Sequence, residues 1–414
     1  MILFDFKIQK YLENNKHLLA INNYYRKTLG LSKKQLQKET GIPHATYRRA
    51  ELNDFIDHPD MLIKIAEYFE LPTTVDESLI NELNDNFNLL YTYYYLDNQE
   101  KLELYFNKIE EKKEHYEKTV FITVYHFAIL VYYVGSKKRV EVDQIYESLQ
   151  FLENFRSDLL DVFVFLLDDY YYCYYSLIHD EDNSIRYAHK VYVEVGKYPK
   201  LLPLILFQMS LNYYFINDYA NCIFYSLESL PRLVNDLNYN RALSANLNMA
   251  ICFERLDNTV KSKELLNKIS LYLMTNENPR LKYLTELTMA NCLVSEKKYE
   301  EAVPIFEKLQ YFNGIKWENY LMRLYCYYKL KDLEAYQKLE EELIEFDRQE
   351  KIFQGYFDLV LLMNALLTYD KKAILEKFRI AEKSFQYYGD SKIVDLIYQE
   401  LQERKIIKKS QVTI

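Results

Sequence analysis

The stretch "MANCLVSEKKYEEAVPIFEKL", residues Met289 to Leu309, reads as an apolar helix, a short polar turn and a second, amphipathic helix. The same pattern recurs from Leu90 onward, with turns near Asp97, Lys137, Asp180, Asp218, Asp257, Lys298, Asp332 and Lys371, separated by 34 to 43 residues. A period of that length with two helices per unit predicts an α-solenoid of six to eight helix pairs, in which stacking buries the apolar face that one pair alone would expose.

Composition supports the helical reading. Gly and Pro number 7 and 8 in 414 residues, against 42 Tyr and 23 Phe. A β architecture of this size needs many Gly-containing turns, so an all-α chain of helices joined by short polar turns is expected. The tyrosine runs "YTYYY" (Tyr91 to Tyr95) and "YYYCYY" (Tyr170 to Tyr175) suit packing between helices, with each hydroxyl reaching a partner or water. Cys173, Cys222, Cys252, Cys292 and Cys326 lie in apolar helical patterns with no C-x-x-C pair, which points to buried thiols in a reducing compartment. The uncharged stretch Thr119 to Ser136 reaches the lower length for a membrane span. Its Thr, His and Tyr residues and charged flanks favour a buried helix, and no signal peptide opens the chain, so a cytoplasmic location without membrane contact is expected. The unit Met289 to Leu309, with its Tyr299 and Ala302 spacing and Pro304 to Phe306, resembles a tetratricopeptide repeat.

The first 72 residues differ. They carry 11 basic against 9 acidic residues, while the remainder carries 41 against 52. An acidic bulk repels a phosphate backbone, so any nucleic-acid contact must come from this N-terminal segment. Within it, "GLSKKQLQKETGIPHATYRRAE" (Gly30 to Glu51) holds the capping box Ser32-x-x-Gln35, which predicts a helix from Lys33 to about Glu39 with Leu36 inward. Gly41 supplies the positive φ of a sharp turn, and Pro43 suits the first turn of a second helix. Leu18, Ile21 and Tyr25 upstream, and Met61, Leu62, Ile65, Ala66 and Phe69 downstream, complete a four-helix unit. The expected organisation is a helix-turn-helix domain over 1–72, a linker over 73–89 and tetratricopeptide-like repeats over 90–406.

These residues resemble the Cro/repressor-like helix-turn-helix domains. The resemblance implies that the second helix enters the DNA major groove, with His44, Thr46, Arg48 and Arg49 contacting bases or phosphates and Lys33 and Gln35 contacting the backbone. Joined to a repeat array, such a domain looks like the peptide-responsive regulators of Gram-positive bacteria and their phages, the Rgg, PlcR, PrgX and NprR group. That resemblance implies a homodimer on a double-stranded operator, with a short signalling peptide in the groove of the repeats. An extended peptide needs backbone partners, and Asn offers two donors and an acceptor. Asn212, Asn246, Asn248, Asn291 and Asn364 stand at inward-plausible places, and Arg241 could meet a peptide carboxylate. Each could equally serve as a cap or an interhelix bond. No P-loop, G-x-G-x-x-G, G-x-S-x-G or H-E-x-x-H pattern is present, so neither catalysis nor a cofactor is expected. A protein-interaction scaffold with a degenerate helix-turn-helix is the alternative.

Overall fold

The computed structural model describes residues 3–43, 45–46, 48, 59–136, 142–178, 180–309, 316–344, 351–368, 370–388 and 392–407. Every regular element among them is helical. The N-terminal segment holds α1 (Lys16–Thr28), α2 (Lys33–Thr40) and α3 (Pro59–Tyr68). Helix pairs follow: α4 (Glu77–Tyr95) with α5 (Gln99–Glu110), the one-turn α6 (Lys113–Tyr116), then α7 (Ile122–Gly135) with α8 (Val142–Glu153) and α9 (Asp161–Leu177) with α10 (Glu181–Glu194). Next come α11 (Leu202–Phe215), α12 (Tyr219–Asn235), α13 (Tyr239–Arg255), α14 (Thr259–Leu273), α15 (Pro279–Ser295), α16 (Tyr299–Lys308), α17 (Lys316–Leu330), α18 (Leu333–Ile344), α19 (Lys351–Thr368), α20 (Lys371–Tyr388) and α21 (Lys392–Glu403). By internal contacts the chain divides into two units, residues 1–209 with 231–241 and residues 210–230 with 242–414.

The turns explain how so few glycines suffice. Asp97, Asn217, Leu237, Asp257, Lys297 and Lys331 all take a positive φ between 54° and 61°. At each, the next amide reaches back to a carbonyl one turn deeper in the helix, as in Asn98 N–H to Tyr93 O and Asn258 N–H to Phe253 O. The residue after the left-handed position then caps the following helix: the side-chain oxygens of Asn98, Asp218, Asn238, Asn258 and Asp332 accept from the amide three residues on, at 3.1 to 3.3 Å. The left-handed conformation costs a non-glycine residue about 1–2 kcal/mol, which the back-bonded carbonyl and the cap together offset. Of the expected turns, those near Asp97, Asp218, Asp257, Lys298 and Asp332 lie on or beside these left-handed positions, and Lys137 lies outside the described residues.

In the first unit, α1 and α3 are pinned by Asn22, whose amide donates to the Leu62 carbonyl at 2.9 Å. Leu18, Ile21, Leu36, Met61, Leu62, Ile65 and Ala66 are buried, and Tyr25 and Phe69 are half-buried. The expected linker over 73–89 needs correction. Asp76 accepts from the amides of Ser78 and Leu79, so α4 starts at Glu77 and runs unbroken to Tyr95 as the first repeat helix. It is helical there because residues 3–11 cover it: Phe4, Phe6, Ile8 and Tyr11 are buried, with Phe4 and Phe6 edge-on to Tyr91 at 4.8 and 4.9 Å. Thr119 to Gly135 is mostly buried, and among the described residues no helix is long and apolar enough to cross a membrane. All five cysteines are buried.

The tyrosine runs pack between helices as expected, but the buried Tyr91 and Tyr170 hydroxyls have no hydrogen-bond partner. Tyr91, Tyr94, Tyr95, Tyr170, Tyr171 and Tyr172 are buried, and several hydroxyls find partners: Tyr95 donates to Asp236 at 2.6 Å, Tyr172 to the Gln208 carbonyl at 2.6 Å, and Tyr94 accepts from Gln208 at 3.2 Å. Asp169 lies fully buried among them; burial, reinforced by the neighbouring Asp168 charge and only partly relieved by Gln208, pushes its carboxyl up to about 7. The folded state therefore keeps this proton up to about pH 7, whereas the unfolded chain releases it near pH 4. Folding stability from this group accordingly falls as pH rises between those values. Asp169→Asn should flatten that decline and raise stability at about pH 8 by roughly 4 kcal/mol, read from urea unfolding of both proteins at about pH 5 and pH 8.

Candidate functional site

The helix-turn-helix forms as its sequence dictates. Ser32 Oγ accepts from the Gln35 amide at 3.2 Å while Gln35 Oε1 accepts from the Ser32 amide at 2.8 Å, and α2 ends at Gly41 with φ 72°. Thr46 N–H bonds back to the Pro43 carbonyl at 3.0 Å, opening the second helix at Pro43. Arg48 is exposed on that helix, Thr46 is half-buried, and Lys33 is half-buried at the start of α2. Gln35 is exposed, but its carbonyl oxygen is committed to the cap, which leaves its amide nitrogen for a backbone contact. His44 and Arg49 lie outside the described residues.

One face of this domain is fastened to the repeats of its own unit. Tyr24 stacks on Phe155 with ring centroids 4.4 Å apart, Asn23 donates to Asp158 Oδ1 at 3.0 Å, and Lys27 lies 3.9 Å from Asp158 Oδ2. Arg48 and Lys33 are on the two helices that this anchorage does not use.

The residues expected to read a peptide fall into different settings. Arg241 is a correction. Its Nε and Nη2 donate to the Tyr95 and Tyr94 carbonyls at 2.7 and 2.6 Å, and its plane lies 5.1 Å from the Tyr94 ring, so it clamps the end of α4 rather than awaiting a carboxylate. Asn364 is another: Tyr336 donates to its oxygen at 2.7 Å and its nitrogen donates to Glu340, an interhelix bond from α19 to α18. Asn246 donates to the Ala242 carbonyl of its own helix at 3.1 Å, and Asn212 is buried and engaged within the protein. Asn248 and Asn291 differ: the Asn248 nitrogen and the Asn291 Oδ1 are buried with no hydrogen-bond partner. Buried polar atoms are nearly always paired, but Tyr91 Oη, Tyr170 Oη and Asn319 Oδ1 share this state, so it sets these two apart from the other candidate asparagines without by itself marking a ligand site.

Asn291 lies one turn before Ser295, which lines a cleft of about 270 Å³ in the second unit together with Thr259, Tyr299, Tyr325, Gln399 and Glu403. Ion pairs close its wall. Lys392 reaches Glu254 at 2.7 Å, Arg255 reaches Asp395 at 3.3 Å, and Lys329 reaches Glu400 at 2.7 Å, so α21 is stitched to α13 and α17. Burial opposes the Glu400 charge, but Lys329, Arg404 and Tyr328 outweigh it and hold the carboxyl below its ordinary range. Lys263 and Lys298 hold Glu296, at the rim, down to about 2. The cleft therefore presents fixed charges and two tyrosines. Sequence reasoning missed it because its wall comes from α21, outside the repeat period.

A helix-turn-helix family model matches residues 23–75. NprR in complex with its cognate peptide NprX superposes with a TM-score of 0.61 at 14% identity, over 78% of this chain and 99% of that one. The chain has the fold of NprR and the Rap proteins. The apo form of the quorum sensor NprR from B. thuringiensis gives 0.60 at 16% identity with the same coverage, and a Rap protein complexed with Competence and Sporulation Factor gives 0.58 at 16%, over 79% of this chain and 99% of that one. No curated protein matches by sequence. The all-helical reading with an N-terminal helix-turn-helix and a following helical repeat region holds, as does the resemblance that carried it.

Arg241→Ala should cost the first unit about 2–4 kcal/mol, because two buried carbonyls lose a charged donor. Urea unfolding followed by tyrosine fluorescence would show it, and unchanged stability would mean that the clamp is idle.

Proposed function

We propose that this protein is a DNA-binding transcriptional regulator whose helical repeats sense a short peptide. The observation that supports it most is the pairing in one chain of a matched helix-turn-helix, with Arg48 exposed on its second helix, and a region sharing the fold of a protein crystallised with its cognate peptide. In this reading Arg48, Thr46 and Lys33, with His44, Arg49 and Gln35, face an operator; an arginine fork suits guanine or phosphate alike. Two-fold operators call for paired domains, so the working form is a homodimer in the cytoplasm. The peptide lies in the second unit beside the Ser295 cleft, where Asn291 and Asn248 supply the partners that its backbone needs.

Selection from random duplexes at low salt should return one preferred sequence. Arg48→Ala should weaken its binding by about 1–3 kcal/mol with helical content unchanged. No preferred sequence would favour the scaffold reading. Calorimetric titration with the exported product of a neighbouring small open reading frame tests the sensor: Asn291→Ala and Asn248→Ala should each cost about 1–3 kcal/mol of peptide affinity, and equal affinity in wild type and both variants would remove them from the site.

A further inference from the structure

The first repeat already holds a peptide segment. Residues Leu3 to Gln9 run antiparallel to α4, and their backbone is read by side chains spaced three and four apart along that helix. Phe6 N–H donates to Asn88 Oδ1 at 2.9 Å, Ile8 N–H to Asn84 Oδ1 at 3.0 Å and Leu3 N–H to Thr92 Oγ1 at 3.2 Å, while the Gln9 side chain donates to Asn81 Oδ1 at 3.1 Å. Asn84, Asn88 and Thr92 are buried, at 7%, 3% and 0% exposure, so they are placed for this task and not for solvent. The alternating side chains Phe4, Phe6 and Ile8 are buried, with Phe6 also edge-on to Phe87 at 5.4 Å, whereas Asp5 and Lys7 point outward. Residues 3–7 lie outside any helix, Lys7 turns at a φ of 50° and Ile8 opens a single 3₁₀ turn to Tyr11, so the site reads a short irregular segment through its backbone amides and its alternate apolar side chains.

We propose that the Asn81–Asn84–Asn88–Thr92 face of α4 is a peptide-binding site in its own right, distinct from the second-unit cleft and filled in cis by the chain's N-terminal arm. Its ligand class is a short segment with aromatic or aliphatic side chains at alternate positions and free amides between them. Through the arm, the site tethers α1, and with it the helix-turn-helix, to the repeats at a second point beyond the Tyr24 and Asn23 anchorage. Because the tether is intramolecular, the arm competes at a high effective concentration, and a free peptide gains access only once the arm's own anchors are weakened.

The test uses full-length protein. In Phe4→Ser/Phe6→Ser the site is vacated, and a fluorescent synthetic peptide of residues 1–12 should bind it by anisotropy, while the wild type binds the peptide at least about tenfold more weakly. Adding Asn84→Ala and Asn88→Ala to the vacated chain should reduce peptide affinity about tenfold or more. No binding to the vacated chain, with circular dichroism showing it folded, overturns the proposal. Should that variant fold poorly, amide exchange decides in the otherwise native chain. Phe6 and Ile8 should be protected in the wild type, exchange about tenfold or more faster in Asn84→Ala/Asn88→Ala, and stay protected in Asn84→Asp/Asn88→Asp, which keeps the acceptors. Equal exchange in the wild type and the alanine variant overturns it.

Discussion

A chain with seven glycines must turn its corners with residues that resist the left-handed conformation. Everything downstream of Tyr95 depends on how it does so. Each turn places Asp, Asn, Leu or Lys at a positive φ and follows it, in most cases, with an Asn or Asp that caps the next helix. The turn is rigid because two residues are held at once, one by the carbonyls it satisfies and the next by the amide it accepts. Short rigid turns keep consecutive helices antiparallel and in register, so that faces rich in Tyr and Phe meet their neighbours and not solvent.

Filling a core with tyrosine creates a second constraint. Each buried hydroxyl must find a partner or bear a desolvation cost of about 1–3 kcal/mol. Burial raises the pKa of Tyr94 and Tyr95 far above the ordinary phenol range, so both stay neutral donors and acceptors. Gln208 and Asp236 answer their hydroxyls, and Arg241 and Asn238 answer their carbonyls. Polar residues that look like ligand-binding groups in the sequence are therefore recruited by the core itself. Arg241 is the clearest case: the same guanidinium that would suit a peptide carboxylate suits the open carbonyls at a helix end.

That competition sets what was legible. The Ser32/Gln35 box, Gly41 and the inward Leu36 could be read because a cap and its turn lie within ten residues, and local geometry decides them. The repeat turns could be read for the same reason. The partner of an inward asparagine could not, because whether Asn364 meets Tyr336 and Glu340 or a ligand depends on how α18 approaches α19. The linker was misjudged on similar grounds. Residues 77–89 carry four asparagines, Asn81, Asn84, Asn86 and Asn88, and such a run looks like a break until the arm that bonds to it is in place. A signal was available in the alternation of Phe4, Phe6 and Ile8, which has the period of a segment with one covered face, and in the three- and four-residue spacing of Asn81, Asn84 and Asn88.

Asparagine thus performs three tasks in this fold, and burial together with the neighbour's fixed valence separates them. At the turns Asn98 and Asn258 are half-exposed and each accepts one amide of its own chain segment, which makes it a cap, and the buried Asn238 does the same while also donating to the Tyr95 carbonyl. In α19 it is held between a hydroxyl and a carboxylate of a neighbouring helix, so both ends of its amide are spent. Along α4 it is buried with its oxygen directed at an arm amide that has no helical hydrogen bond of its own, and such an amide is what a bound peptide offers. Asn291 belongs with this last group by burial and Asn248, half-buried, has its nitrogen covered, but both lack the amide or carbonyl opposite. A water held there would be displaced at little cost by a peptide group making the same bonds, whereas an apolar group would leave the asparagine unsatisfied. On the proposed reading a peptide backbone fits these two positions, and side-chain selectivity would come from the tyrosines and fixed charges around the Ser295 cleft.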